Sequence, residues 1–183
     1  MADTRICKAG QQWRWDGVDF RVLHPFHPAR ADEASNTQSC VIQVRDAQGR
    51  RALLTGDVEL AQEATLVQRW GDSLRSDVLV VPHHGSHTSS GEAFLAAVAP
   101  HVAVMQLGYR NRFGHPHPEI WDRYIQQGIT VVRTDHCGAW VWDGDGAICT
   151  RNVRRHYWQW MSEKPAPVAG AVVATPLQVG ERE

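Results

Sequence analysis

Two segments, LLTGD (Leu53–Asp57) and DVLVVPHHGSH (Asp77–His87), do most to limit what this chain can fold into. Each is a short apolar run that stops at a group able to bind a cation. DVLVV is rich in β-branched residues, too short for a helix and bounded by Pro82, the pattern of a buried strand. Between the two runs, VELAQEATLVQRWG carries Leu60, Ala64 and Val67 at helical spacing, with Gly71 as the stop. A strand, one helical crossover and a second strand make parallel neighbours. Their carboxyl ends then share one edge, where open α/β sheets build their sites.

The flanking segments complete a mixed α/β pattern. QWRWDGVDFRVLHP (12–25) reads as a hairpin about Asp16-Gly17, and CVIQVRD with RALLT as a second hairpin. Ser89 and Glu92 have capping-box spacing and start a helix that ends before Pro100. HVAVMQL is a strand. Pro118 suits the first turn of a helix carrying Ile120, Trp121, Tyr124 and Ile125, closed by Gly128. ITVVRT, AWVWDG and AICTRNV give three further strands. Three W-x-W pairs occur: Trp13/Trp15 and Trp140/Trp142 read as core filling, while Trp158/Trp160 adjoins the tail. The alternation of strands and helices indicates an α/β sandwich with a mixed sheet and flanking helices. Residues 1–160 form the domain. The Pro-, Ala- and Val-rich stretch 161–183 has no period and reads as a disordered tail or linker.

Bulk properties narrow the function. The 183 residues are 43% hydrophobic with a net charge of −1, which speaks against a nucleic-acid module working by charge alone. Arginine outnumbers lysine 17 to 2, but the arginines are scattered. No apolar run approaches the roughly 20 residues of a membrane helix, and the N-terminus has no signal-peptide core. The chain reads as soluble. The four cysteines, Cys7, Cys40, Cys137 and Cys149, include no C-x-x-C pair, so neither a zinc ribbon nor a disulfide framework is expected.

The candidate chemistry sits at the two strand ends. A carboxylate able to bridge two cations, Asp57, beside an imidazole from His83 or His84 makes a half-site for zinc or manganese. On an extended segment adjacent side chains diverge, so one of the two histidines faces the metal and the other stands behind it or toward substrate. Each residue alone has a plainer reading. Asp57 equally suits a helix cap, His83 and His84 equally suit a packed turn, and Gly85 a left-handed backbone position. Their joint occurrence favours a site. His115 and His117 form an H-x-H, but Glu119 and Ile120 follow, so the start of an H-x-H-x-D-H motif is not completed. His115 instead suits an anionic substrate group at a helix N-terminus near Arg110 and Arg112. Asp135 and His136 read as a turn, and RNVRRH (151–156) as a solvated strand end.

In order, SNTQSC, LLTGD, DVLVVPHHGSHTSS, NRFGHPHP and RTDHCGA resemble the metallo-β-lactamase-like domain of ComEC-type DNA-uptake proteins, over roughly residues 10–145. The resemblance implies an αβ/βα sandwich with metal at one edge. It makes Asp57 the bridging carboxylate and one of His83 and His84 the late histidine ligand. Asn36 and Ser39 then belong to a polar signature near the site, and His115 to a G-H-P motif. Ser86 and His87, with His115, are candidates for substrate contact. The family's first metal motif, H-x-(H/D)-x-D-H, is absent, so the chain resembles the C-terminal half of the domain.

The resemblance implies a metal-dependent phosphodiesterase acting on single-stranded DNA in transformation, with two ions in the complete domain. This fragment, lacking most ligands, is expected to bind metal weakly or not at all and to be inactive alone. The implied partner is the remainder of a ComEC-like bacterial inner-membrane protein, with this part extracytoplasmic. Two other functions compete: a non-catalytic half-domain that docks within a membrane DNA channel and homodimerises in isolation, and a small-molecule phosphoester hydrolase.

Overall fold

The computed structural model describes residues 6–28, 32–144 and 146–153. Strands β1 (Gln12–Trp15) and β2 (Val18–His24) form the first hairpin, turning at Asp16-Gly17, and β3 (Val41–Arg45) and β4 (Arg51–Leu54) the second. Helix α1 (Leu60–Trp70) leads to β5 (Val78–Val80), α2 (Glu92–Val98) to β6 (Val102–Met105), and α3 (Pro118–Gln126) to β7 (Thr130–Arg133). These seven strands make one sheet in sequence order. The first four pair antiparallel and β4 to β7 pair parallel. A small antiparallel ribbon, β8 (Trp140–Trp142) and β9 (Ala147–Cys149), follows. The mixed α/β class and the parallel β4–β5 pair match the sequence expectation.

Residues paired in register share a face of the sheet. One row runs Gln12, Arg21, Gln43, Leu53, Leu79, Ala103 and Val131. Leu53, Leu79 and Ala103 from this row belong to the core cluster, together with Leu66 of α1, Phe94, Leu95 and Val98 of α2, and Ile120 and Tyr124 of α3. The helices therefore cover this face. The opposite row runs Trp13, Phe20, Val44, Ala52, Val78, Val102 and Thr130. It is almost wholly apolar, yet none of its members joins that cluster. Trp13, Trp15 and Leu54 on this side are 44%, 73% and 40% exposed. Trp13 and Trp15 thus do not fill the core as expected, because strand alternation turns them away from the helices. Trp140 and Trp142 stack on each other, half-buried, on β8. Trp158, Trp160 and the tail from 161 lie outside the described residues.

Four local readings need correction. Helix α1 forms where expected, but its fully buried positions are Glu63 and Leu66, while Leu60 is exposed. The expected Ser89 cap of α2 is not made. Gly91 precedes the helix, and Ser89 Oγ is instead buried, donating to the carbonyls of Pro82 and Ser86. Residues Thr150–Val153 form a helical turn rather than a strand end, whereas Asp135 and His136 lie, as expected, in a turn, Thr134–Cys137. All four cysteines are paired, Cys7 with Cys40 and Cys137 with Cys149, at Cα separations of 6.0 and 4.7 Å. Neither pair is a spacing motif. Each joins segments that only the folded chain makes neighbours.

Candidate metal centre

The parallel pairing of β4 and β5 brings Thr55–Asp57 and Pro82–Gly85 to one edge. Two hydrogen bonds lock them: the Thr55 hydroxyl donates to Val80 O at 2.7 Å, and His83 N to Gly56 O at 3.0 Å. Gly56 has a φ of +58°, and a Cβ there would meet Ser39 Cβ at 3.2 Å. That close approach lets the Ser39 hydroxyl accept from the Asp57 backbone N–H at 3.1 Å. Asp57 is not the cap of α1. Glu59 takes that role in a reciprocal pair with Gln62, leaving the Asp57 carboxylate to the edge.

The histidine turn is not extended. His83 and His84 both adopt left-handed backbone, with φ of 47° and 57°. The expected opposite pointing of adjacent side chains therefore does not apply, because it holds for a pleated strand only. Both rings stay near the edge. His84 Nδ1 lies 2.7 Å from Gln106 O, a carbonyl that can only accept, so Nδ1 carries the proton. In the neutral ring Nε2 is then the lone-pair nitrogen, and it lies 3.3 Å from Asp57 Oδ1. His83 faces the other way along the rim. Its Nδ1 is 3.6 Å from Glu59 Oε1 and 3.4 Å from Thr88 Oγ1, and its Nε2 is 3.5 Å from Asn36 Nδ2. Asn36 also donates to Glu59 at 3.0 Å. Glu59 and the Gln106 carbonyl were not singled out in the sequence, since neither carries a motif. Glu59 was visible only as a residue three before Gln62.

A second layer comes from residues 108–117. Gly85 has a φ of +81°, and a Cβ on it would stand 3.0 Å from Pro116 Cβ. With no side chain there, His117 N reaches Gly85 O at 2.9 Å. His115 is held by Asn111, whose side chain accepts from His115 N at 2.8 Å and donates to His115 O at 2.9 Å. Its ring lies 6.1 Å from that of His83. Burial, then the neighbouring His83, His84 and His117, lower the His115 pKa below the usual histidine value. Of the remaining sequence candidates, Ser86 is buried with its hydroxyl 3.3 Å from Thr88 Oγ1. His87 is exposed and lies beside Glu119 and His117.

The arrangement brings one carboxylate, Asp57, and one oriented imidazole, His84, together at the carboxyl ends of parallel strands. Three or four protein ligands are the usual complement for zinc. Asp57 and His84 fit that chemistry, and they supply about half of it.

The chain is a homologue of ComEC-type competence proteins. It is 42% identical over 159 residues to Competence protein ComA of Neisseria gonorrhoeae, covering 85% of this chain and 22% of that protein. It is 39% identical over 129 residues to Recombination protein 2 of Haemophilus influenzae, covering 70% and 16%. ComE operon protein 3 of Bacillus subtilis is 34% identical over 131 residues, covering 72% and 16%. The chain thus spans about a fifth or less of these curated relatives. No protein-family profile matches it. A Thermotoga maritima protein of the metallo-β-lactamase superfamily is 17% identical, with a TM-score of 0.37 over 60% of this chain and 53% of that one. Among the described residues no helix is long and apolar enough to cross a membrane.

Proposed function

We propose that this chain is the C-terminal half of a metallo-β-lactamase-like domain, part of a metal-dependent phosphodiesterase acting on single-stranded DNA during DNA uptake. One observation carries the reading. His84 is oriented by Gln106 O so that its Nε2 lies 3.3 Å from Asp57 Oδ1. Two ligands at about 2.0–2.1 Å from a tetrahedral zinc ion stand about 3.3–3.4 Å apart. Asp57 and His84 are the ligands in this reading, and Ser39 positions Asp57. His83 stands behind them, with Asn36 and Glu59 orienting it. Asp57 and His84 would hold a divalent ion, which would supply Lewis-acid activation of water toward phosphorus. The missing ligands come from the preceding half of the domain.

His115 and the loop beside it suit the nucleic-acid end of the site. Tyr109 and Phe113 are 48% and 69% exposed, and the guanidinium groups of Arg110 and Arg112 lie over their rings at 5.3 and 5.0 Å. Exposed aromatic rings with adjacent guanidinium groups are what single strands stack on. The disulfides favour an oxidising compartment and thus the extracytoplasmic side of a bacterial inner membrane. The decisive experiment uses the complete domain with zinc or manganese, tested on single-stranded DNA and on a small phosphodiester. Asp57→Asn and His84→Ala should each abolish DNA cleavage. Wild-type cleavage by both variants would remove the proposal, and preference for the small ester would move it to small-molecule hydrolysis.

The open sheet face supports a second reading, a non-catalytic half-domain that docks on the rest of a channel protein. Trp13, Trp15 and Leu54 are exposed on an otherwise apolar row. Isolated, such a chain should homodimerise through this face. Sedimentation across a concentration series should show it, with Trp15→Ser and Leu54→Asp together giving a monomer.

A further inference from the structure

The histidine turn carries a second group of ligands beyond its edge with Asp57. One potential ligand atom from each of His87, His117 and Glu119 falls within 4.8 Å of the other two. His87 Nδ1 is 3.3 Å from Glu119 Oε2, and the His87 and His117 rings are 4.6 Å apart. A tetrahedral zinc site places its ligand atoms about 3.3–3.4 Å apart. The first pair already stands at that spacing, and closing the widest requires at most about 1.4 Å of movement. His87 and Glu119 are exposed side chains, free to make that adjustment.

His117 gives the independent observation. It is the residue before α3, its main chain tied to Gly85 O, and its Nδ1 is buried with no hydrogen-bond partner among the described residues. Polar atoms withdrawn from water normally have a partner. The same ring belongs to the three-residue group, so an ion bound there would engage this otherwise unpartnered side chain. The plainer alternative is a surface ion pair between His87 and Glu119, both about two-thirds exposed, and such pairs contribute little. It leaves the buried His117 nitrogen unexplained.

We propose that His87, His117 and Glu119 bind one zinc-class divalent ion, separate from the Asp57–His84 edge, with water in the fourth position. Two imidazoles and one carboxylate suit zinc rather than magnesium or calcium, which favour oxygen ligands. The ion would pin the loop that carries His115 to the turn that carries His83 and His84. The site stands on its own geometry and does not depend on the nuclease reading.

The test is calorimetric titration of the full chain with Zn²⁺, paired with visible absorption of the Co²⁺ form, whose bands report four-coordinate ligation. One ion per chain is expected. His87→Ala and Glu119→Gln, both on exposed side chains, should each weaken binding tenfold or more and reduce the cobalt bands. The Asp57→Asn, His84→Ala double variant should bind as the wild type does. Absence of stoichiometric binding would overturn the proposal, as would unchanged affinity in the first two variants. So would loss of the ion in the double variant, which would place it at the other edge.

Discussion

Glu63 makes a quantitative prediction about what holds the histidine turn in place. It sits on α1 and is 1% exposed. Its carboxylate accepts from Ser90 N at 2.6 Å and Gly91 N at 2.7 Å, tying α1 to the segment that follows the turn and starts α2. Burial raises its pKa from 4.5 to about 7, against the lowering by the Gly91 and Ser90 N–H groups and by Arg123. Between those two pH values the folded chain holds a proton that the unfolded chain has released. Stability present below the lower value is therefore lost as pH rises through the window. Each pKa unit is about 1.4 kcal/mol, so the loss is about 3 kcal/mol. Glu63→Gln keeps the shape and removes the titration. Its carboxamide turns an N–H toward one of two backbone donors, costing about 1–3 kcal/mol near pH 5. Near pH 8 the gap to wild type should shrink by about 3 kcal/mol. Urea unfolding of both proteins at the two pH values measures this. His24 and His115, whose pKa values are lowered, act with the opposite sign but occur in both proteins and cancel. Parallel pH dependence in the two proteins would refute the reasoning, because the slope would then come from elsewhere.

Two further perturbations test the framework. Gly85→Ala forces a side chain into a left-handed position 3.0 Å from Pro116 Cβ. It should destabilise the fold by about 1–2 kcal/mol from backbone conformation alone, more if the 115–117 segment must move, and an unchanged melting temperature would contradict the close packing. The Cys7–Cys40 bond closes a 33-residue separation, so the Cys7→Ser, Cys40→Ser variant should lose about 4 kcal/mol in the chain-entropy picture. Denaturant midpoints of variant and wild type, both kept oxidised, read the difference directly.

Local chemistry made much of the scaffold legible. Asp16-Gly17 turns the first hairpin, Gly71 ends α1, Pro118 starts α3, and the short β-branched run at Val78–Val80 is a strand. From LLTGD, a helix and DVLVVPHH followed parallel strands with Asp57 and the histidines on one edge, and they do share it. Other features stayed hidden because no neighbour in sequence encodes them. Glu63 reads as a solvated helix position until Ser90 and Gly91 supply its partners. Ser89 has the spacing of a cap, but the buried carbonyls of Pro82 and Ser86 compete for its hydroxyl.

By itself the amino-acid sequence determined most of the strands and the three main helices, and that a carboxylate and imidazoles end two of the strands, because periodicity and turn chemistry act over a few residues. The tertiary structure alone decided that His83 and His84 share an edge through left-handed backbone, that His117 and Glu119 meet His87, and which cysteines pair. It also decided which face of the sheet the helices cover. Each of these depends on contacts between residues far apart in the chain, where steric fit and hydrogen-bond competition outweigh local preference.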